Sequence, residues 1–186
     1  MTSTGVTFDQ MLTTVKKAAA ALRDAGVPFA LAGGLATWAR GSVQPRDDDI
    51  DFFVRGDDAE RALAALVDSG MRAERPPEGW LLKAYEGRAL VDLIFDPSGI
   101  DVQEVLAAAE ELSVDAMPMP VASVDHIVIT QLLSWNDHHL DFAGMLEQTR
   151  TVREQMDWER VRDLTKSSPY ARAFVFLAEE LGIAPA

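Results

Sequence analysis

The sequence predicts an α+β protein, with helices flanking a β-sheet and a helical bundle at the C-terminal end. Up to about residue 120, short apolar segments of strand character alternate with segments of helical spacing, and beyond this point the pattern is nearly all helical. Hydrophobic residues make up 48% of the 186, which is enough for a sizeable core. We therefore expect a sheet-containing core over residues 1–120 and a helical region over residues 121–186 that packs on it.

The first helix is predicted by five apolar residues that share one helical face, and Gly26 ends it. These five are Phe8, Leu12, Val15, Ala19 and Leu22. Short apolar segments then predict strands, and helical spacing predicts helices between them. The strands are at 28–33, 49–54, 71–75, 80–87 and 89–95, and the helices at 34–41 and 57–70.

After these elements the chain changes from alternation to helices. Asp101 and Glu104 resemble a capping box and predict a helix through Leu112. The segment "DAMPMPVA" (115–122) should be extended, and its two prolines suit an edge strand or a loop. Polar residues suited to N-caps then begin four predicted helices. These run over about 124–135, 138–154, 157–165 and 169–181.

The composition excludes several classes of protein. There are no cysteines, so disulfides, thiolate catalysis and zinc–thiolate sites are excluded. No window approaches ~18 apolar residues and the first ten residues do not resemble a signal peptide, so we expect a cytoplasmic protein without a membrane segment. The net charge of −13 disfavours non-specific binding to nucleic acid. The acidic runs are either solvated helix faces or a face for a cationic partner.

An unusual group of aspartates lies in the stretch "LAGGLATWARGSVQPRDDDIDFFV", from Leu31 to Val54. Asp49 and Asp51 project to the same side of a strand, because side chains alternate along it. Two carboxylates so close raise each other's pKa unless a cation lies between them, and Mg²⁺ prefers such hard oxygen ligands. Asp92 lies inside another apolar strand, where an unpaired carboxylate is costly. It is easier to explain if it reaches the same metal site.

Gly33 and Gly34 close one predicted strand and open a helix. Glycine allows a ligand to approach the backbone closely, and free N–H groups at a helix start can meet phosphate oxygens. A phosphate cradle beside a metal-binding strand is the arrangement that two-metal phosphoryl transfer needs. The alternative is a simple turn followed by a polar edge strand with solvated aspartates.

The ordered pattern "GG", "DDDID" and "LVDLIF" resembles the DNA polymerase β-type nucleotidyltransferase superfamily over residues 27–96. The resemblance implies a mixed sheet and transfer of a nucleoside monophosphate from an NTP such as ATP to an acceptor hydroxyl. It implies that Asp49 and Asp51 bind both metals, Mg²⁺ or Mn²⁺. Asp92 would bind the catalytic metal and help to deprotonate the acceptor. Gly33 and Gly34 would contact the triphosphate.

Basic residues near this pattern could neutralise the triphosphate. Arg46 and Arg40 lie close to the acidic strand in the sequence, and Lys83 lies one strand before Asp92. The stretch around Lys83 resembles small antibiotic nucleotidyltransferases. The alternative is that these bases are surface residues that pair with nearby acids. His138 and His139 lack the further ligands of a zinc site, so we expect a helix capped by Asn136 or Asp137 with exposed histidines.

The C-terminal region loosely resembles the tail of AbiE-type toxin nucleotidyltransferases, in which a Lys often occupies the position of Gln131. This resemblance implies a toxin-type enzyme that modifies RNA or protein, with an antitoxin-like partner. Two alternatives stay open. One is an enzyme that nucleotidylates an antibiotic or another small molecule, and the other is an inactive module that binds a nucleotide or a partner.

Overall fold

A computed structural model of the chain describes residues 5–185 and has the predicted α+β architecture. The strands are β1 (Phe29–Ala32), β2 (Asp49–Val54), β3 (Arg72–Glu74), β4 (Leu81–Glu86), β5 (Ala89–Ile94), β6 (Glu110–Val114) and β7 (Met117–Val121). The helices are α1 (Phe8–Asp24), α2 (Gly33–Ala39), α3 (Ala59–Asp68), α4 (Val102–Ala108), α5 (Val124–Ser134), α6 (Phe142–Val152), α7 (Trp158–Thr165) and α8 (Pro169–Glu180). None of the helices over residues 5–185 is long and apolar enough to cross a membrane.

The seven strands form one mixed sheet in the order β3-β4-β5-β2-β1-β7-β6. β2 runs parallel to β5 and β1 runs parallel to β7, while the other neighbours are antiparallel. This order makes β2 and β5 direct neighbours although α3, β3 and β4 separate them in the chain. In the register, Asp51 lies opposite Asp92 on one side, and Asp92 lies opposite Lys83 on the other. Strand pairing therefore brings residues from three strands into one row.

Two groups of buried apolar residues stabilise the fold. The first lies between the sheet and helices α1, α2, α3 and α4, and the second holds helices α5 to α8 together. Trp135 and Phe174 belong to the second group and meet edge to face, with 5.7 Å between ring centroids. Helix α5 takes part in both groups, with Ile127 in the first and Val128 in the second. The two groups are consistent with a core and an appended helical region, and the boundary at residues 120/121 stays a prediction.

Residues 109–122 differ from the prediction. The helix that was expected to reach Leu112 ends at Ala108, and residues 110–114 form β6 instead. β6 and β7 form a hairpin whose turn residues Asp115 and Ala116 have φ angles of 47° and 65°. Left-handed residues at both turn positions match the twist of paired strands. β7 is also not an edge strand, because it lies between β1 and β6. Its prolines are tolerated because its pairing with β1 is confined to Val121.

The start of the second C-terminal helix was also predicted wrongly. α6 begins after Asp141, whose carboxylate accepts a hydrogen bond from the Gly144 N–H at 2.9 Å. His138 and His139 lie before this helix in a turn, where the backbone groups of Asn136 and His139 bond to each other. The side chain of Asn136 accepts from the His138 N–H at 3.0 Å, and this local turn competes with a helix start.

Candidate active site

Three aspartates from two neighbouring strands converge at one point of the sheet. Asp49 and Asp51 lie on the same side of β2, and Asp92 lies beside Asp51 on β5. One carboxylate oxygen from each residue lies within 4.8 Å of the others. The set consists only of hard oxygen donors, which are the ligands that divalent magnesium or manganese prefers. These three residues are the ones that the sequence predicted as metal ligands.

The electrostatics of the three aspartates also suit a divalent cation. Burial, followed by the charges of Asp49 and Asp92, raises the pKa of Asp51 well above its ordinary range. Burial and the charge of Asp47 raise the pKa of Asp49 in the same way. Both shifts mean that the site resists holding several negative charges at once. A bound divalent ion would remove this resistance, so the residues fit a metal site.

Lys83 is a cation in direct contact with one of these aspartates. It lies opposite Asp92 in the β4–β5 pairing, and its Nζ donates to both carboxylate oxygens of Asp92 at 3.1 and 3.2 Å. Burial lowers the pKa of Lys83, but the hydrogen bond and charge of Asp92 outweigh it and the net shift is upward. Burial raises the pKa of Asp92 more than the Lys83 contact lowers it. The predicted contact of Lys83 with a triphosphate stays a prediction.

Gly33 and Gly34 are required by close packing against two different neighbours. Gly33 has a φ of +61°, and a Cβ there would lie 1.9 Å from the Oδ2 atom of Asp51. A Cβ on Gly34 would lie 2.6 Å from the Cβ of Pro45. The first glycine therefore leaves the space in which the Asp51 carboxylate lies. A contact of either glycine with phosphate stays a prediction.

An open cleft of about 680 Å³ extends from Asp49 and Asp51 to helix α5. Its walls include Glu78, Trp80 and Asp96 from the loops on either side of β4 and β5, and Thr130 and Gln131 from α5. Trp80 is 40% exposed there, whereas Trp135 and Trp158 are buried. The sequence predicted no site role for Glu78, Asp96 and Thr130, because they come from loops and a helix that carry no metal or phosphate motif. Gln131 was singled out only as a position at which related enzymes often carry Lys.

The lining of the cleft is strongly acidic. Five carboxylates line it, and the lining drawn from residues 5–185 contains no Lys or Arg. The five are Asp47, Asp49, Asp51, Glu78 and Asp96. Such a wall has a negative potential, which attracts cations such as divalent metal ions and ammonium groups.

The two arginines that were considered for triphosphate binding have polar partners other than the three aspartates. The Arg40 Nε donates to the Ala122 carbonyl at 2.6 Å and its Nη2 to the Val121 carbonyl at 3.0 Å, so Arg40 ties α2 to the end of β7. Arg46 is exposed and pairs with Glu147 beside a smaller pocket of about 140 Å³. This pocket shares Gly34, Asp47, Gln131 and Ser134 with the main cleft. Nucleotide binding by Arg46 stays a prediction.

The fold and the three aspartates agree with a comparison to protein families. A family profile described as aminoglycoside-2''-adenylyltransferase matches residues 14–126, which is more than half of the chain. The chain belongs to this family. It is therefore a nucleotidyltransferase, and the resemblance to the polymerase β-type superfamily is confirmed. Membership also favours an enzyme over the inactive binding module. No match was found among curated proteins.

Solved structures support the fold assignment. The solution structure of the antibiotic-resistance factor ANT(2'')-Ia is 19% identical, covers 95% of this chain and 99% of its own, and has a TM-score of 0.67. The crystal structure of ANT(2'')-Ia with adenylyl-2''-tobramycin is 21% identical over 87% of this chain and 97% of its own, with a TM-score of 0.61. Lincomycin-bound LnuA, a lincosamide antibiotic adenylyltransferase, is 16% identical over 87% of this chain and 99% of its own, with a TM-score of 0.51. At these identities the comparisons show a shared fold.

Proposed function

We propose that this enzyme transfers the nucleoside monophosphate of ATP to a hydroxyl group of a cationic small molecule of the aminoglycoside type. The observation that carries this proposal is the cleft beside the three aspartates, lined by five carboxylates and, among the described residues, by no basic side chain. With a divalent ion on Asp49 and Asp51, the carboxylates of Asp47, Glu78 and Asp96 would remain to attract a polyamine acceptor, and they offer no favourable contact to the phosphates of RNA. The family description, which names an adenylyltransferase, supports ATP as the donor.

The proposed chemistry assigns a separate role to each element of the site. Asp49 and Asp51 hold Mg²⁺ or Mn²⁺, and Asp92 completes the set of ligands. The bound metal supplies charge neutralisation of the triphosphate and of the developing transition state. Asp92 orients the acceptor hydroxyl and draws its proton, so that the hydroxyl oxygen bonds to the α-phosphorus while the bond to pyrophosphate breaks. Gly33 and Gly34 leave space for the phosphates to approach the backbone.

The acceptor would occupy the part of the cleft formed by Glu78, Trp80 and Asp96. Carboxylates at Glu78 and Asp96 suit ammonium groups. Trp80 is partly exposed, so a cation can approach its ring. An ammonium group within about 6 Å of the centre of an aromatic ring is attracted to it. Together these residues offer negative charge to the ammonium groups of an aminated sugar and a flat apolar surface to its ring.

The family match and the acidic cleft favour the small-molecule alternative over the toxin-type enzyme that the C-terminal tail suggested. Apart from the loose resemblance of the C-terminal region, no contact or pocket among residues 5–185 supports an antitoxin-like partner or RNA binding. Gln131 stands where a basic residue would aid a polyanionic acceptor, and it lines the cleft as a neutral amide. A cytoplasmic location, where ATP and Mg²⁺ are abundant, is part of the proposal.

The test is a labelling assay with α-labelled ATP, Mg²⁺ and three acceptors offered separately. Tobramycin, which carries several amines, should become labelled, while its fully N-acetylated derivative should not, because the acetyl groups remove the positive charges. Total RNA should also stay unlabelled. The double variant Asp49→Asn/Asp51→Asn, checked by thermal melting, controls for contaminating activity. Labelled RNA with unlabelled tobramycin would overturn the acceptor proposal and restore the toxin-type alternative.

A further inference from the structure

We propose that the ammonium group of Lys83 pairs with Asp92 until nucleotide binds. The complete set of metal ligands would then assemble only together with the NTP. This inference rests on the proposed metal site and goes beyond it, because it concerns the order in which metal and nucleotide enter. It assigns Lys83 a positioning role, in which it acts through a metal-binding carboxylate.

The geometry places the ammonium of Lys83 in competition with a metal ion for one carboxylate. Its Nζ donates to both oxygens of Asp92, at 3.1 and 3.2 Å. The side chains of Lys83 and Asp92 are only 22% and 12% exposed, so water screens this pair poorly. An oxygen of Asp92 also lies within 4.8 Å of oxygens from Asp49 and Asp51. A divalent ion held by these carboxylates would therefore compete with the ammonium group of Lys83 for Asp92.

The ammonium group of Lys83 and a metal ion carry like charges, so they would repel each other, and both would use Asp92 as a partner. While Lys83 holds Asp92, the nucleotide-free site offers mainly Asp49 and Asp51 to a metal. The charge of Lys83 already opposes the repulsion at Asp51, so part of the attraction that a metal would gain is satisfied. We therefore expect the nucleotide-free enzyme to bind a divalent ion weakly at the position that needs Asp92.

A bound triphosphate changes this balance. It brings several negative oxygens, to which an ammonium on a flexible four-carbon stem can move from Asp92. Asp92 then becomes free to bind a metal, and the phosphates supply further ligands. Nucleotide and metal would consequently strengthen each other's binding, a reciprocal coupling that must hold in both directions. The enzyme would then bind its full complement of metal only when the NTP is bound.

The test measures Mn²⁺ binding from the spectroscopic signal of free Mn²⁺, with and without an ATP analogue that cannot be cleaved at the α-phosphate. In Lys83→Met, Mn²⁺ affinity without nucleotide should rise at least about fivefold, the lower end of typical couplings between sites. The dependence of Mn²⁺ affinity on nucleotide should fall in the same variant. Lys17→Met is the matched control, because it removes an ammonium group that pairs with Glu86 at 2.8 Å rather than with a carboxylate of the proposed metal site.

The charge-retaining variant Lys83→Arg keeps the test decisive if Lys83→Met unfolds. A guanidinium group can still pair with Asp92, so this variant should bind Mn²⁺ no more tightly than the wild type without nucleotide. Unchanged or weakened Mn²⁺ affinity in folded Lys83→Met, or raised affinity in Lys83→Arg, overturns the inference and leaves the metal site standing. Failure of the wild type to bind Mn²⁺ even with the analogue overturns the metal site itself, and the inference with it.

Discussion

Replacing Gly33 with alanine should destroy the metal site while leaving the protein folded. The added Cβ would lie 1.9 Å from the Oδ2 atom of Asp51, whereas an ordinary contact begins at 3.4 Å. The carboxylate of Asp51 would therefore move by about 1.5 Å, the difference between these two distances. Mg²⁺ requires oxygen ligands at about 2.0–2.1 Å in near-octahedral geometry, so a carboxylate displaced this far no longer binds it well.

The magnitude of the effect on stability can be separated from the effect on metal binding. Alanine at a φ of +61° costs about 1–2 kcal/mol, because its Cβ approaches the following carbonyl. In a chain of this size each kcal/mol lowers the Tm by about 2–4 °C, so a decrease of about 2–8 °C is expected. Mn²⁺ affinity should fall by at least about 10- to 100-fold, the loss that changes around metal ligands typically produce.

Gly26→Ala is the control for this substitution. Gly26 has nearly the same φ of +64°, but a Cβ there would meet nothing within 4 Å. The backbone strain is thus matched, and only Gly33→Ala displaces Asp51. The assay is calorimetric titration of Mn²⁺ beside a thermal melt for each variant. If Gly33→Ala melts like Gly26→Ala and also binds Mn²⁺ as tightly, the close approach of Gly33 to Asp51 has no functional meaning and the reasoning is refuted.

Three further predictions follow from the site. Asp92→Asn should lower the rate of single-turnover transfer by about a hundredfold or more, the scale of lost acid–base assistance, while ATP affinity persists; normal transfer in the folded variant would remove Asp92 from the mechanism. Because burial and mutual repulsion raise the pKa values of Asp51 and Asp49, protons compete with metal, and Mn²⁺ affinity should rise with pH across the window above the ordinary carboxyl range. The stability of the metal-free protein should change in the opposite direction, because carboxyls with raised pKa values bind protons more tightly in the folded than in the unfolded state. Its Tm should therefore fall as pH rises through the same window, and Asp51→Asn should make this fall smaller. A Tm that rises there contradicts the assignment. Glu78→Gln and Asp96→Asn should each raise the KM for a cationic acceptor and leave the KM for ATP unchanged. The control is Glu111→Gln, which removes an exposed carboxylate on β6. Equal effects in all three variants would argue against an acceptor subsite in the cleft.

The local elements near the aspartates could be predicted because their signals are local. The strand "DIDFFV" was predicted at 49–54 and lies at Asp49–Val54, since alternation of side chains needs only adjacent residues. The hairpin of β6 and β7 was missed because it depends on two consecutive left-handed residues, Asp115 and Ala116, neither of which is glycine. The start of α6 was missed for a similar reason. Several polar residues before it could cap a helix, and only their contacts show that Asp141 does.

The sequence by itself determined which residue types could hold a metal and that Asp49, Asp51 and Asp92 were the three to consider. Only the tertiary structure decided that they meet, because the pairing of β2 with β5 joins segments that are distant in the chain. A different pairing, that of β4 with β5, placed Lys83 opposite Asp92, and these two strands follow each other directly in the chain. The acidic cleft likewise depends on loops and a helix that converge only after the sheet and α5 have packed. The alternation of side chains along a strand and the order of motifs depend on residues that are close in the sequence. Strand order follows from burial of the whole apolar core, which is a property of the folded chain.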